Sequence, residues 1–195
     1  SGFGGYATVS MKDLNSALDQ YAAPGTAATH TTSGFYVGAD AGITVLPFLK
    51  IGPRLEYLQP SQASVTTIFG TANINSKLLM YELGVTADTS LPLTGLSVLG
   101  GIWGGYGVAN ATLGTGGSNA VQDGTGTSFV GEVAAQLRYK MFMGLSLGVD
   151  LGYLMANVAT VNGADGKPMI TNQSGGAVGF DFSGLHAGGA LSWDF

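Results

Sequence analysis

Apolar and polar residues alternate one by one in eight segments of this chain. In residues 49–58 the apolar positions are Leu49, Ile51, Pro53, Leu55 and Tyr57, and the positions between them are Lys50, Gly52, Arg54, Glu56 and Leu58. Successive side chains of a β-strand point to opposite faces, so this pattern predicts a strand with one apolar and one polar face. Similar alternation predicts strands at 3–11, 34–45, 49–58, 79–88, 96–109, 129–140, 145–154 and 185–195.

Large apolar residues fall on one face of each segment, and the charged residues fall on the other. For the first segment this places Phe3, Ala7, Val9 and Met11 on the apolar face, opposite Tyr6, Thr8 and Ser10. A strand in a soluble sandwich also alternates, but its outer face would need polar residues. The segments are close to the 9–11 residues of a tilted membrane strand. They therefore predict a barrel with a lipid-facing exterior and a polar lumen.

The connections between the segments alternate in length. Short turns are predicted near 46–48, 89–95 and 140–143, and long polar loops near 12–33, 59–77, 110–127 and 156–183. This arrangement is typical of an up-and-down antiparallel membrane barrel with both termini on the short-turn side. Residues 177–182 could form an additional strand, but even-numbered closure favours treating 175–182 as part of the last loop.

The first long loop contains a predicted helix at residues 11–21. Met11, Leu14, Leu18 and Tyr21 share one helical face, and Ser10 with Asp13 resembles a capping box. About three turns of helix are not stable in isolation, so we expect this helix to cover or enter the barrel mouth.

The composition supports a membrane protein of a single domain, residues 1–195. Only 10% of the residues are charged, whereas soluble domains carry about 25%. A membrane helix at 95–109 is the main alternative, with Gly100 and Gly104 in a GxxxG spacing, but this segment is short and rich in glycine. The net charge of −5 and the scattered basic residues indicate no nucleic-acid partner.

The chain ends in LSWDF, with Trp193 two residues before a final Phe195. This ending resembles the C-terminal signature of bacterial outer-membrane proteins, and the eight segments resemble the small barrels typified by the OmpA membrane domain, OmpX and OmpW. The resemblance implies a Gram-negative outer-membrane location, periplasmic termini, and the lipid bilayer and the barrel-assembly machinery as partners. Trp193 and Phe195 would be the assembly signal. Activity varies among such barrels, so the resemblance implies no particular function.

Charged and amide residues on the predicted inner face form the candidate site. An eight-stranded barrel is just wide enough for side chains to fill it, and buried charges must be paired. We therefore expect a polar network with Glu82 as the partner of Arg54; a path for protons or small solutes is the alternative. The network residues are Asp40, Lys50, Arg54, Glu56, Glu82, Glu132, Gln136, Arg138 and Asp150, and the candidate pore-lining residues are Met80, Leu99 and Trp103.

The sequence gives little sign of catalysis. The two histidines are His30 and His186, and a triad of His186 with Ser183 and Asp181 would require three near neighbours at one junction. With no cysteine and no carboxylates clustered along the sequence, we expect no enzyme, cofactor or metal site. The predicted role is structural, adhesive or binding through the loops to an unknown extracellular ligand. The alternative is a narrow pore for small, hydrophobic solutes.

Overall fold

A computed structural model of the protein describes residues 1–91, 95–115 and 121–193. Eight antiparallel strands form a closed barrel, which confirms the predicted fold. The barrel strands are β1 (Gly2–Thr8), β2 (Ser33–Asp40), β4 (Leu49–Pro60), β6 (Gly70–Ser90), β7 (Leu96–Thr115), β8 (Val121–Lys140), β9 (Leu145–Val158) and β12 (Gly184–Trp193). The other elements are α1 (Lys12–Tyr21), β3 (Ile43–Leu46), β5 (Ala63–Thr67), β10 (Asn162–Gly163) and β11 (Phe180–Asp181).

The register of the strands fixes the shape of the barrel. Following directly paired residues once around it leads from residue 138 of β8 back to residue 128 of the same strand, a stagger of ten residues. The path runs through Arg138, Gly148, Ala190, Phe3, Gly38, Glu56, Met80, Gly107 and Ser128. A stagger of this kind requires tilted strands, and an eight-stranded barrel has an interior that side chains can fill.

The predicted faces are confirmed for the strands after the first. Leu55, Val133 and Leu147 point outward and are exposed, whereas Glu56 and Glu132 are buried inside. Of the segment 95–109, considered above as a membrane helix, residues 96–109 lie within strand β7. No helix among the described residues is long and apolar enough to cross a membrane.

The face assignment of β1 was wrong. Phe3 and Ala7 are buried, and Tyr6 is 77% exposed; Val9 and Met11, beyond the end of the strand, are buried too. Directly paired residues of neighbouring strands lie on the same face, and Phe3 is paired with Gly38 and Ala190, both inward positions. The first segment carries glycines and no charge up to Ser10, so its own pattern could not identify the inner face.

Cysteine labelling checks this inverted face, because the natural chain has no cysteine. In lipid vesicles we expect a membrane-soluble thiol reagent to modify Tyr6→Cys at least about ten-fold faster than Ala7→Cys, since reactivity requires access. The adjacent position on the same strand serves as the control. Faster labelling of Ala7→Cys would restore the original assignment.

Much of the predicted loop sequence is strand. Strands β6, β7 and β8 extend beyond the predicted strand segments, through residues 70–78, 109–115 and 121–128, and β5 pairs with β6. The loops predicted at 59–77 and 110–127 were therefore wrong in large part. In these extensions the outer face carries mainly polar residues (Thr, Asn, Lys and Asp), with the exposed Val121 as an exception. The hydrogen-bonded ladder therefore continues where the apolar outer face stops.

Residues 175–182 contribute only a two-residue strand to the structure. Phe180 and Asp181 of β11 pair with Val158 and Asn157 at the end of β9. This pairing lies outside the closed barrel, so the even strand count is unchanged.

The predicted helix α1 is confirmed and covers the long-loop end. Leu14, Ala17 and Leu18 are buried against a loop core that includes Phe180 and Phe182, whose rings stack 6.3 Å apart. The predicted capping box is not formed: the N-cap residue is Met11, which makes no side-chain capping hydrogen bond.

Candidate functional site

The barrel interior contains a buried layer of ionisable and amide side chains, which we call the ionic layer. Seven of the nine predicted network residues belong to it. Asp40 and Lys50 lie closer to the short-turn end, where they line a half-open cavity of about 470 Å³. The ionic layer comprises Tyr36, Arg54, Glu56, Glu82, Glu132, Gln136, Arg138, Asp150 and His186, all of them buried.

Arg54 lies at the centre of the ionic layer. Its Nη2 is 2.6 Å from Glu132 Oε1 and 3.0 Å from Glu56 Oε2. The rings of Phe3 and Trp103 lie 4.0 and 4.5 Å from its guanidinium carbon, so aromatic rings contact the cation as well. Carboxylates and ring faces together offset part of the loss of water around this buried charge, and Nη1 has no hydrogen-bond partner among the described residues.

Glycines on the inner face make room for these rings. A Cβ on Gly38 would lie 2.4 Å from the Phe3 ring, and one on Gly84 would lie 2.2 Å from Trp103. Larger residues at these positions would displace the rings from Arg54. The high glycine content of the inner face therefore accommodates the large side chains of the neighbouring strands.

Within the ionic layer, a series of side-chain hydrogen bonds leads from Tyr36 towards the short-turn end. Tyr36 Oη donates to Asp150 Oδ2 at 2.9 Å, and Gln136 Nε2 donates to Asp150 Oδ1 at 2.9 Å. Arg138 donates to Gln136 Oε1 through Nε at 2.9 Å and through Nη2 at 2.8 Å. Arg138 also lines the half-open cavity, so these hydrogen bonds extend the ionic layer to the cavity.

His186 belongs to the ionic layer although the predicted network omitted it. Its Nε2 is 3.2 Å from Glu132 Oε1, and its Nδ1 is 3.5 Å from Asp150 Oδ2. A Cβ on its register partner Gly152 would lie 2.0 Å from Nε2. The inward position of His186 in the alternation, opposite a glycine, was the available sequence signal.

The residues considered as a triad do not form one. Ser183 Oγ accepts a hydrogen bond from the Ala156 backbone N–H, and Asp181 Oδ1 accepts one from the Ser183 N–H. His186 instead faces Glu132 and Asp150. The other histidine, His30, pairs with Asp19 at 2.9 Å on the surface.

Glu82 lies directly opposite Arg54 in the register of β4 and β6, but it does not bond to Arg54 as expected. Both of its carboxylate oxygens are buried, and neither has a hydrogen-bond partner within the part of the chain that the structure describes. Arg54 turns towards Glu56 and Glu132 instead.

The candidate pore-lining residues lie in two separate regions. Leu99 and Trp103 line the half-open cavity, whereas Met80 belongs to a buried apolar layer on the other side of the ionic layer. This apolar layer is continuous with the core beneath α1. It consists of Leu58, Leu78, Met80, Val130 and Leu154.

Trp193 and Phe195 make up the predicted assembly signal. Trp193 is exposed at the end of β12 and borders the half-open cavity. Phe195 lies outside the described residues.

No protein-family model matches this chain, and no curated protein matches it significantly.

Proposed function

We propose that this protein is an integral barrel of the bacterial outer membrane, with a lumen closed to solutes and a structural, adhesive or loop-mediated binding role that involves no catalysis. The observation that carries the proposal is the apolar exterior of the barrel. Outward side chains of neighbouring strands form a continuous exposed aliphatic band, which includes Leu55, Leu83, Ile102, Val133, Val149, Leu151 and Leu191. A surface of this kind is unfavourable in water and matches the hydrocarbon core of a bilayer.

Exposed aromatic residues border this band on both sides. On the long-loop side they are neighbours across the strands: Tyr6 pairs with Phe35, Phe35 lies 6.1 Å from Tyr57, and Tyr106 pairs with Tyr81 and Phe129. On the short-turn side the exposed aromatic residues include Phe48, Tyr139, Phe142 and Trp193. Two aromatic girdles are typical of membrane barrels, because these rings favour the interfaces between lipid and water.

The interior supports a closed lumen. The side chains of the ionic layer fill the barrel, and the apolar layer with α1 covers its long-loop side. A hydrated solute entering the half-open cavity would meet Trp103 and then the ionic layer, of which Arg138 lines the cavity. The binding role would then belong to the long-loop end, where β5–β8 and the loop core extend beyond the aromatic girdle.

Conductance measurements distinguish a closed barrel from a narrow pore. We expect no steady ion conductance from the intact protein in planar bilayers, and no swelling of proteoliposomes in sugar solutions, because side chains fill an eight-stranded barrel. Reproducible openings that change in Trp103→Ala would contradict the closed barrel and favour the pore for small solutes. Deletion of residues 12–32, which removes α1, is the second test. The absence of conductance in this variant would show that the ionic and apolar layers close the lumen by themselves.

Expression in a Gram-negative host behind a cleavable signal tests the location. We expect the chain in the outer-membrane fraction as a barrel whose gel mobility changes on heating. Replacement of Phe195 by Ala is expected to reduce the amount assembled, whereas the same change at exposed Phe142 is not. Equal assembly of both variants would contradict the proposed signal.

A further inference from the structure

Three glutamates from three different strands converge inside the ionic layer. Glu56 comes from β4, Glu82 from β6 and Glu132 from β8, and one carboxylate oxygen of each lies within 4.8 Å of the other two. All three side chains are buried. They are distant in sequence, so only barrel closure brings them together.

Two of these carboxylates have oxygens without donors. Both oxygens of Glu82 and Oε2 of Glu132 are buried, and no group of the described residues donates a hydrogen bond to them. Glu82 is only 5% exposed, and its carboxylate is directed at the other two. Buried polar groups are nearly always satisfied, so an unpartnered carboxylate aimed into this cluster indicates a missing cationic partner.

The charge balance of the ionic layer indicates the same partner. Its four carboxylates (Glu56, Glu82, Glu132 and Asp150) face two guanidinium groups, Arg54 and Arg138. Even when the imidazole of His186, which lies 3.2 Å from Glu132 and 3.5 Å from Asp150, is counted as a third cation, the carboxylates outnumber the cationic groups. A bound cation would offset this excess of negative charge, whereas uncompensated buried charges are strongly unfavourable.

We propose that Glu56, Glu82 and Glu132 form a binding site for a hard divalent cation of the size of calcium. Carboxylate oxygens are the ligands such cations prefer, and calcium–oxygen distances of about 2.3–2.6 Å let one ion bridge oxygens with the observed separation. Arg54 contacts one oxygen of Glu56 and one oxygen of Glu132. Glu132 Oε2 and both oxygens of Glu82 are not contacted by Arg54 and would be available to bind the ion. The ion would enter from the half-open cavity, since the apolar layer closes the other side.

Terbium luminescence tests the site, because Trp103 is the register partner of Glu132 and lies over Arg54. The probe is Tb³⁺, a luminescent substitute for calcium, added to the full chain in detergent micelles after treatment with a chelator. Excitation of tryptophan is expected to give saturable terbium emission that Ca²⁺ suppresses and Na⁺ at equal ionic strength does not. Trp103→Phe, which keeps an aromatic ring beside Arg54, should abolish the emission, and Trp193→Phe should preserve it.

Changing the unpartnered ligand provides the decisive comparison. We expect Glu82→Gln to weaken Ca²⁺ competition at least about ten-fold, as for loss of a direct ligand, and to abolish the rise in Tm that Ca²⁺ gives the natural chain. Asp123→Asn, which removes an exposed carboxylate from β8, should change neither. If Glu82→Gln does not fold, Glu82→Asp, which keeps the charge but shortens the reach, is expected to show the same loss of affinity.

Three results would overturn the proposal. The first is the absence of terbium emission sensitised by Trp103. The second is an equal Ca²⁺ affinity in the natural chain and in the Glu82 variant that folds. The third is a natural chain whose Tm does not change with Ca²⁺, combined with a higher Tm in Glu82→Gln. The last result would show that Glu82 carries a proton instead of binding a metal ion.

Discussion

Replacement of Arg54 by methionine is expected to lower the free energy of unfolding by about 3–5 kcal/mol, the usual effect of breaking a buried ion pair by removing one partner. The variant leaves Glu56 and Glu132 without the guanidinium that contacts both. Denaturant unfolding from lipid vesicles, with a chelator present to exclude divalent cations, measures the loss.

Two further variants test the cause of this loss. Arg54→Met combined with Glu132→Gln is expected to be more stable than Arg54→Met alone, because it removes a carboxylate that would otherwise be buried without a partner. Arg138→Met is the matched control: Arg138 bonds to the neutral amide of Gln136, so its removal leaves no unpaired carboxylate and should cost less. Strictly additive losses for Arg54 and Glu132 would contradict the pairing.

An arginine in place of Val133 is expected to lower the free energy of unfolding by about 2–4 kcal/mol, the cost of a cation near the middle of the bilayer. Val133 lies on the exposed outer face of β8, between the two aromatic girdles. Unfolding of the barrel from vesicles by denaturant measures this effect.

The same substitution six residues earlier supplies the control. Thr127 occupies the outer face of the same strand beyond Phe129, so Thr127→Arg should place its charge in water at a cost of about 0–1 kcal/mol. Equal costs at the two positions in vesicles would show that β8 does not cross a bilayer in this orientation, and the membrane proposal would fail.

Sequence alternation was sufficient to identify strands and faces wherever each face had a distinct chemistry. In β4 and β8 the inner face carries charges and the outer face carries large apolar residues, so both the strand and its orientation were predicted correctly. Alternation failed in β1, which has no charged residue, and in the extensions of β6–β8, where the outer face is mostly polar and the apolar residues Ile74 and Leu78 lie on the inner face. In those segments pairing with neighbouring strands decided the structure.

The residue content of the ionic layer was largely predicted, whereas its contacts were not. Parity along each strand placed Arg54, Glu56, Glu82, Glu132 and Asp150 in the lumen. An odd or even position in a strand does not determine how high a side chain lies along the barrel axis, or which rotamer it adopts. The pairing of Arg54 with Glu132 instead of Glu82 depends on the stagger of the closed barrel. His186 and Phe3 reach the layer for the same reason, from strands at the two ends of the chain that closure makes neighbours.

The sequence by itself therefore determined the eight-stranded barrel, the polarity of most of its faces and the helix at the first loop, because hydrophobic periodicity is a local property that each strand carries in its own residues. The tertiary structure decided which charges meet, the course of the ladder beyond the apolar band and the separation of the cavity from the apolar layer. These features depend on the register and stagger of strands far apart in the chain, and the residues of one strand do not encode the position of the next.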